Sequence, residues 1–406
     1  MKIHSQKRYD VLVIGAGPAG TTAAILLAKA GWTVAIVEQS PFPRRKVCGE
    51  FISATSFPLL AELAVADTFF DRAGPEVQRV GLFAGHHALF APMPRMSGGL
   101  GPWGRALGRE HLDLLLLDAA RRAGAEIRQP CTATALTPEL GGWSCQLSSE
   151  KADVEIHAKL IIAASGSWGR GRPFDLPRRD PAARDLFGFK VHFRDCDLPS
   201  DLMPLLIFEG GYGGMVHSDS ERVSLSCCIR RDRLAACRQR ASSQHAGEAV
   251  FHHILASCAP VRDITARASL SGAWLSAGPI RPGFRHAFEG GLFRIGNLAS
   301  EAHPIIAEGI SMAMQSAALL CQALIADPDA IGHGARLAAI GRSYDRYRKA
   351  RFGLRIHLAD ALAQLAQHPS SAGLLVRTVD AFPKLLSWGA TLSGKVSVHS
   401  AAHGAR

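Results

Sequence analysis

Thirty residues near the start of the chain, Tyr9 to Glu38, constrain its fold more than any other stretch. Asp10 to Ile14 (DVLVI) is a short apolar strand, and Gly15, Gly17 and Gly20 follow it as G-x-G-x-x-G, with Pro18 and Ala19 inside the motif. Bare backbone there permits a tight turn, close approach to a pyrophosphate, and a helix packed hard against its strand. The helix, Ala19 to Ala30, is built from small residues and stops at Gly31; Thr33 to Val37 (TVAIV) forms a second strand. Glu38 closes the unit, eighteen residues after the last glycine. This spacing predicts a βαβ unit that holds dinucleotide phosphates at a helix N-terminus. A carboxylate at that point accepts hydrogen bonds from ribose hydroxyls and repels a 2′-phosphate, so FAD or NAD fits better than NADP.

A chain of 406 residues with 47% apolar content suffices for one large two-part domain or two domains around a sizeable core. Nine scattered cysteines without a C-x-x-C pair suit reduced thiols in a cytoplasmic protein, with neither a disulfide framework nor a metal site. Adjacent Cys227 and Cys228 read as opposite sides of one strand. No apolar leader precedes the first strand, and no run of about eighteen uncharged apolar residues is expected, so neither export nor a membrane span is predicted. The net charge of +11 is read first as solubility. Its densest stretch, Arg342 to Arg355, reads as a solvated helix, with weak contact to an anionic membrane surface or an acidic carrier protein as the alternative. Nucleic acid is not expected as a partner, because no binding motif accompanies the charge and the aromatic residues are not interleaved with it.

Further along, Leu59 to Phe70 reads as a helix, Arg79 to Phe90 as a hairpin, and Pro92 to Gly104 as a covering loop. Arg109 to Ala123 is an amphipathic helix, Glu126 to Ala135 a strand, and Leu160 to Ala164 a buried strand ending at Ser165-Gly166-Ser167. Phe187 to Arg194, Leu205 to Gly211 and Arg222 to Arg230 alternate at period two, which predicts a separate mixed sheet. Arg233 to Cys258 reads as helical, Leu292 to Ile295 as a short strand, and the chain from Gly309 onward as mostly helical. Near its end, Leu374 to Val396 reads as short helices broken by Pro383 and Gly389, which favours a lid over the pocket, with contact to a membrane surface as the alternative.

Together these motifs resemble the FAD-dependent oxidoreductases with the para-hydroxybenzoate-hydroxylase fold, in the branch of geranylgeranyl reductases and flavin-dependent halogenases. Lys46-Val47-Cys48-Gly49-Glu50 is similar to that branch's K-x-C-G-E segment, and Arg109 with Leu112-Asp113 to its R-x-x-L-D helix start. Gly296-Asn297, Pro304 and Gly309-Ile310 resemble the second flavin signature. The resemblance implies an α/β fold: a Rossmann-like FAD-binding domain, a mixed-sheet substrate domain and a helical C-terminal region. The FAD-binding parts would be 1–80, 105–180 and 286–330, the substrate parts 81–104 and 181–285, and the helical region 331–406. Beside the glycine fingerprint and Glu38, the implied FAD contacts are Gln39, Lys46, Cys48, Arg109, Ala133, Gly166, Asn297, Pro304, Gly309 and Ile310.

Three departures narrow the implied activity. Ser165-Gly166 and Gly296-Asn297 stand where aromatic hydroxylases of this fold carry Asp-Gly and Gly-Asp. The halogenase W-x-W-x-I-P is absent; Gly211 to His217 looks like a degenerate form of the reductase signature that keeps Tyr212 but lacks its Trp and Pro. The leading expectation is an FAD-dependent monooxygenase that hydroxylates a lipophilic or aromatic small molecule of secondary metabolism through a flavin C4a-hydroperoxide. The alternative is an FAD-dependent C=C reductase of the geranylgeranyl reductase type. Electrons would come from NAD(P)H or from a separate flavin reductase, since no second dinucleotide motif is present. His303 ranks first as catalytic acid or base, with Cys48 and His217 as further candidates and Glu301 and Glu308 flanking the same loop.

Overall fold

The computed structural model describes residues 8–150, 152–167, 180, 182–240 and 245–395. The reading of the first seven residues, the middle of the helix expected over 233–258, and Val396 lie outside these. The fold is mixed α/β and built on two large sheets.

In the first sheet, Arg8–Ile14 lies between Val34–Val37 and Val154–Ala163, all parallel, with Leu292–Arg294 and Glu126–Arg128 as the next parallel strands outward. The register sets Ile14 beside both Val37 and Ala163, so the glycine turn, Glu38 and the Ser165-Gly166 loop emerge at one carboxyl-end edge. Ile295 donates to the Ala163 carbonyl at 3.0 Å and brings Gly296-Asn297 to the same edge. Ligands of open parallel sheets bind at such an edge.

One face of this sheet packs against the helices Pro18–Lys29, Arg109–Arg122 and Gly309–Ala326. The other is covered by the antiparallel strands Thr132–Glu139 and Gly142–Ser148. Glu126–Ala135 is therefore two elements. Glu126–Arg128 joins the parallel sheet, whereas the chain turns away at the cis bond before Pro130 and begins a new strand at Thr132. Leu59–Phe70 is likewise two short helices, Phe57–Glu62 and Ala66–Arg72, interrupted by Ala64 at φ 57°. The helix Gly309–Ala326 corrects one expectation, because its 18 residues carry no charge and are long and apolar enough to cross a membrane; here it packs within the fold's largest apolar cluster.

The second sheet runs from Leu186–Arg194 through Val223–Arg230, Gly211–His217, Leu202–Phe208 and Arg79–Ala84 to His87–Pro92. Period two sorts its side chains cleanly. Phe83, Phe189, Val191, Phe193, Leu225, Cys227 and Ile229 form an apolar layer beneath the helices of residues 246–264. Leu82, Ala84, Ile207, Tyr212 and Cys228 turn to the other face, beneath the C-terminal helices Gly334–Gln367 and Pro369–Ala381. Cys227 and Cys228 thus lie on opposite faces.

Candidate active site

The glycine turn is tightly packed on one side and open on the other. A Cβ at Gly20 would stand 1.9 Å from the Gly15 carbonyl oxygen, and one at Gly15, whose φ is 108°, would stand 2.6 Å from that of Ala164. At Gly17 the nearest atom to a Cβ is an Arg109 guanidinium nitrogen at 3.8 Å. Pro18 opens the helix, and Ala19 touches the place where a Gly296 Cβ would sit, so the two flavin signatures meet at van der Waals range. The Glu38 carboxylate accepts from the Ala16 and Ser40 amides, both at 2.9 Å, and from Arg44 at 2.7 Å. Gln39 is exposed beside it, whereas Ala133 is buried in the cluster that contains Leu12 and Val37.

Arg109 makes a bidentate pair with Asp113 one helical turn on, both bonds 2.7 Å, and faces the Cys48 sulfur. Lys46 sits among Arg44, Arg109, Glu38 and Asp113; desolvation, then the two arginines, push its ammonium down to about 8. This group holds one more cation than carboxylate beside a helix N-terminus, a donor set matched to a pyrophosphate. Gly49, Gly166 and Gly309 each face open space, with no atom within 4 Å of a Cβ, although their neighbours Glu50, Ser167 and Ile310 are buried. That is a polar cradle around room for a ligand, and FAD fits it.

Beneath the cradle lies a charge cluster that sequence reasoning missed. Glu50, at φ 66°, pairs with Lys190 and with His192 Nε2 at 2.9 Å; all three are fully buried. Desolvation raises the Glu50 carboxyl, but Lys190 and His192 outweigh it and hold it well below the usual range. Glu50 also accepts the Arg109 amide at 3.2 Å and so caps a helix whose N-cap residue, Gly108, has no side chain to offer. The available signal was Lys190 and His192 two apart among the apolar residues of the strand Leu186–Arg194.

The two missing acids are replaced in space by one. Glu301 is buried, accepts from Ser167 at 2.6 Å and from Asn297 at 3.4 Å, and pairs with Arg285 at 3.0 Å. It therefore ties the Ser165-Gly166-Ser167 loop to the Gly296-Asn297 loop. Burial raises its carboxyl above the usual value, with Ser167 and Arg285 offsetting part of the effect.

His303 is held by elements far apart in sequence. Its Nδ1 lies 3.2 Å from the Tyr212 hydroxyl, and its Nε2 lies 3.2 Å from an oxygen of Asp360 on the long C-terminal helix. Tyr212 is fully buried, whereas the Asp360 side chain is half exposed. Desolvation lowers the His303 imidazole below its ordinary value, only partly offset by Asp360, and desolvation holds the Tyr212 hydroxyl well above its own. Pro304 follows in the short turn that leads to Gly309. Cys48 is half-buried, its sulfur beside Arg109 and its carbonyl accepting from Ser226 at 2.9 Å. His217 is not brought to this group: it points off the opposite face of its strand, and its Nε2 lies 2.7 Å from the Leu198 carbonyl. No cluster of metal-ligating side chains occurs among the described residues.

An edge that gathers two flavin signatures around a cationic cradle defines a nucleotide-binding oxidoreductase fold. The FAD binding domain family model matches residues 8–352, and the chain belongs to that family. The chain is 25% identical over 351 residues to conditioned medium factor receptor 1 of Dictyostelium discoideum, covering 78% of this chain and 63% of that protein. It is 31% identical over 158 residues to a menaquinone reductase of Mycobacterium tuberculosis, covering 39% of this chain and 38% of the reductase. The match thus spans less than two thirds of either relative. The structure of the flavin-dependent brominase Bmp2 superposes with a TM-score of 0.76 at 18% identity, over 96% of this chain and 94% of the brominase. Halogenases and a geranylgeranyl reductase-like protein share the fold, in keeping with the branch read from the motifs.

Proposed function

We propose that this flavoprotein is an FAD-dependent monooxygenase acting on a lipophilic phenol or a similarly acidic ring compound. The line Tyr212–His303–Asp360 carries this reading. Bound FAD supplies the redox chemistry, carrying electrons and activating dioxygen. The chain supplies the path for a proton. With Nε2–H donated to Asp360, His303 Nδ1 accepts the Tyr212 hydroxyl, which also meets the Ile305 amide and the Cys228 thiol; a proton taken from an acidic substrate at this hydroxyl would pass along the line to His303. Because its imidazole is neutral at neutral pH, His303 acts as a base, and half-exposed Asp360 stabilises the cation it becomes and passes the proton to water. The resulting anionic ring is electron-rich and reacts readily with an electrophilic oxygen. Leu82, Ala84 and Ile207 share the Tyr212 face and are buried with it beneath the C-terminal helices, so apolar packing keeps water from this proton line.

Reducing equivalents come, on this reading, from NAD(P)H or a separate flavin reductase. C=C reduction is the second reading, favoured by the similarity to menaquinone reductase; the same line would then carry a proton inward. The test supplies reduced flavin, a panel of lipophilic phenols and isotopically labelled dioxygen. Monooxygenation puts one labelled atom into the product, and Tyr212→Phe lowers kcat/KM at least about tenfold. Anaerobic turnover of an enone or prenyl alkene without label uptake would overturn the first reading in favour of the second.

A further inference from the structure

The flavin loop has an anchor from the far end of the chain. After the helix Lys384–Ala390, residues Thr391–Lys395 make one wide turn, with Gly394 at φ 99°, and insert Lys395 beneath the segment that precedes the helix Gly309–Ala326. The three ammonium protons have three acceptors: the Ile306 carbonyl at 2.7 Å, the Ala307 carbonyl at 3.2 Å and the Glu308 carboxylate at 2.7 Å. Ala307 lies in the left-handed region at φ 51°, so this turn is backbone-strained and the ammonium binds it on both sides of the strained residue. Lys395 also stands 4.5 Å over the Phe51 ring, next to the K-x-C-G-E segment. Thr55 donates to the Gly394 carbonyl at 3.3 Å, which fastens the turn from a third direction.

Glu308 itself is fully buried at the N-cap of that helix. Its second oxygen accepts from Ser53 at 3.2 Å. Arg355 interacts with it electrostatically and packs so tightly on Gly394 that a Cβ there would stand 2.4 Å from the guanidinium. A lone carboxylate at this point would cancel the positive helix terminus that stabilises charge on reduced flavin. Two cations against one acid reverse that balance.

We infer that Lys395 is a positioning residue of the flavin site: it fixes the Ile306–Glu308 turn and neutralises Glu308, so the helix terminus presents net positive charge to the flavin. The inference rests on FAD binding alone and holds for hydroxylation or reduction, so failure of the phenol assay leaves it standing.

The test is made on the full chain loaded with FAD, measuring the flavin midpoint potential by dye equilibration and FAD affinity by fluorescence quenching. Lys395→Met shifts the potential downward by at least about 30 mV, a tenfold change in a two-electron equilibrium. Lys395→Arg keeps most of the wild-type potential. The double variant Lys395→Met with Glu308→Gln, which removes both charges, recovers most of the lost potential. An unchanged potential in Lys395→Met, or a double variant displaced as far as the single, would overturn the inference. Should Lys395→Met not fold, folding and FAD retention by the double variant support it, whereas failure of both marks a purely structural anchor and overturns it.

Discussion

The two ends of the cofactor cleft are assembled in opposite ways. The phosphate end, from Gly15 to Glu38 with Arg44, Lys46, Arg109 and Asp113, draws on the first third of the chain, and most of its geometry follows from local spacing. The end proposed here to carry the reaction joins Tyr212, His303 and Asp360, which are 91 and 57 residues apart, and Lys395 reaches Glu308 across 87. The first end is made by backbone that must come close; the second is made by side chains that tertiary packing happens to bring together. A family can therefore keep the first and rebuild the second, which suits one flavoprotein fold to several chemistries.

The sharpest way to break this comparison is at Gly20. Valine there would drive a Cβ into the Gly15 carbonyl, 1.9 Å away, and no rotamer relieves a backbone clash. A loss above about 4 kcal/mol is expected, with little folded protein recovered, as read by denaturant unfolding. Asp113→Ala comes next. It leaves the Arg109 guanidinium buried without its bidentate partner, which costs about 3 kcal/mol and loosens FAD together with the fold.

Substitutions at the reaction end should separate what those variants join. His303→Ala is expected to keep FAD affinity within about threefold, yet lower kcat/KM by roughly a hundredfold, the usual contribution of a positioned base. Loss of FAD with loss of rate would show that the two ends are one unit. The pH profile sharpens the same point. The neutral imidazole is the active form and burial lowers its proton affinity, so kcat/KM stays level through neutral pH and falls only below the ordinary histidine value of about 6.5. Asp360 favours the imidazolium; Asp360→Asn should therefore move this acid limb further down, measured as the apparent pKa of kcat/KM.

What was legible in the sequence follows the same divide. The G-x-G-x-x-G turn, the acid at the second strand and the R-x-x-L-D helix start are short-range patterns whose physical meaning survives without a structure. The strand Gly211–His217 was missed because three glycines hide its alternation and one of them, Gly213, would put a Cβ within 2.9 Å of Cys227 Cβ. Glu301 was visible only as an acid near a signature; that it bridges Ser167 and Asn297 depends on a parallel register set more than a hundred residues away. Asp360 and Lys395 carried no local signal at all, since each looks like an ordinary charge on a C-terminal helix or turn.

His217 gives the smallest expected effect and the clearest lesson. It lies five residues after Tyr212 in one strand, and an odd separation puts two side chains on opposite faces of a sheet. Tyr212 therefore meets His303, whereas His217 faces the Leu198 carbonyl and has no route to the cleft. His217→Ala should cost about 1 kcal/mol, the worth of one hydrogen bond, and leave kcat/KM within about twofold of the parent. The contrast with His303→Ala then rests on position alone, because the two variants delete the same side chain. A large loss of rate in His217→Ala, at unchanged stability, would mean that the sheet presents its other face to the substrate, and the Tyr212–His303–Asp360 line would lose its place in the reaction.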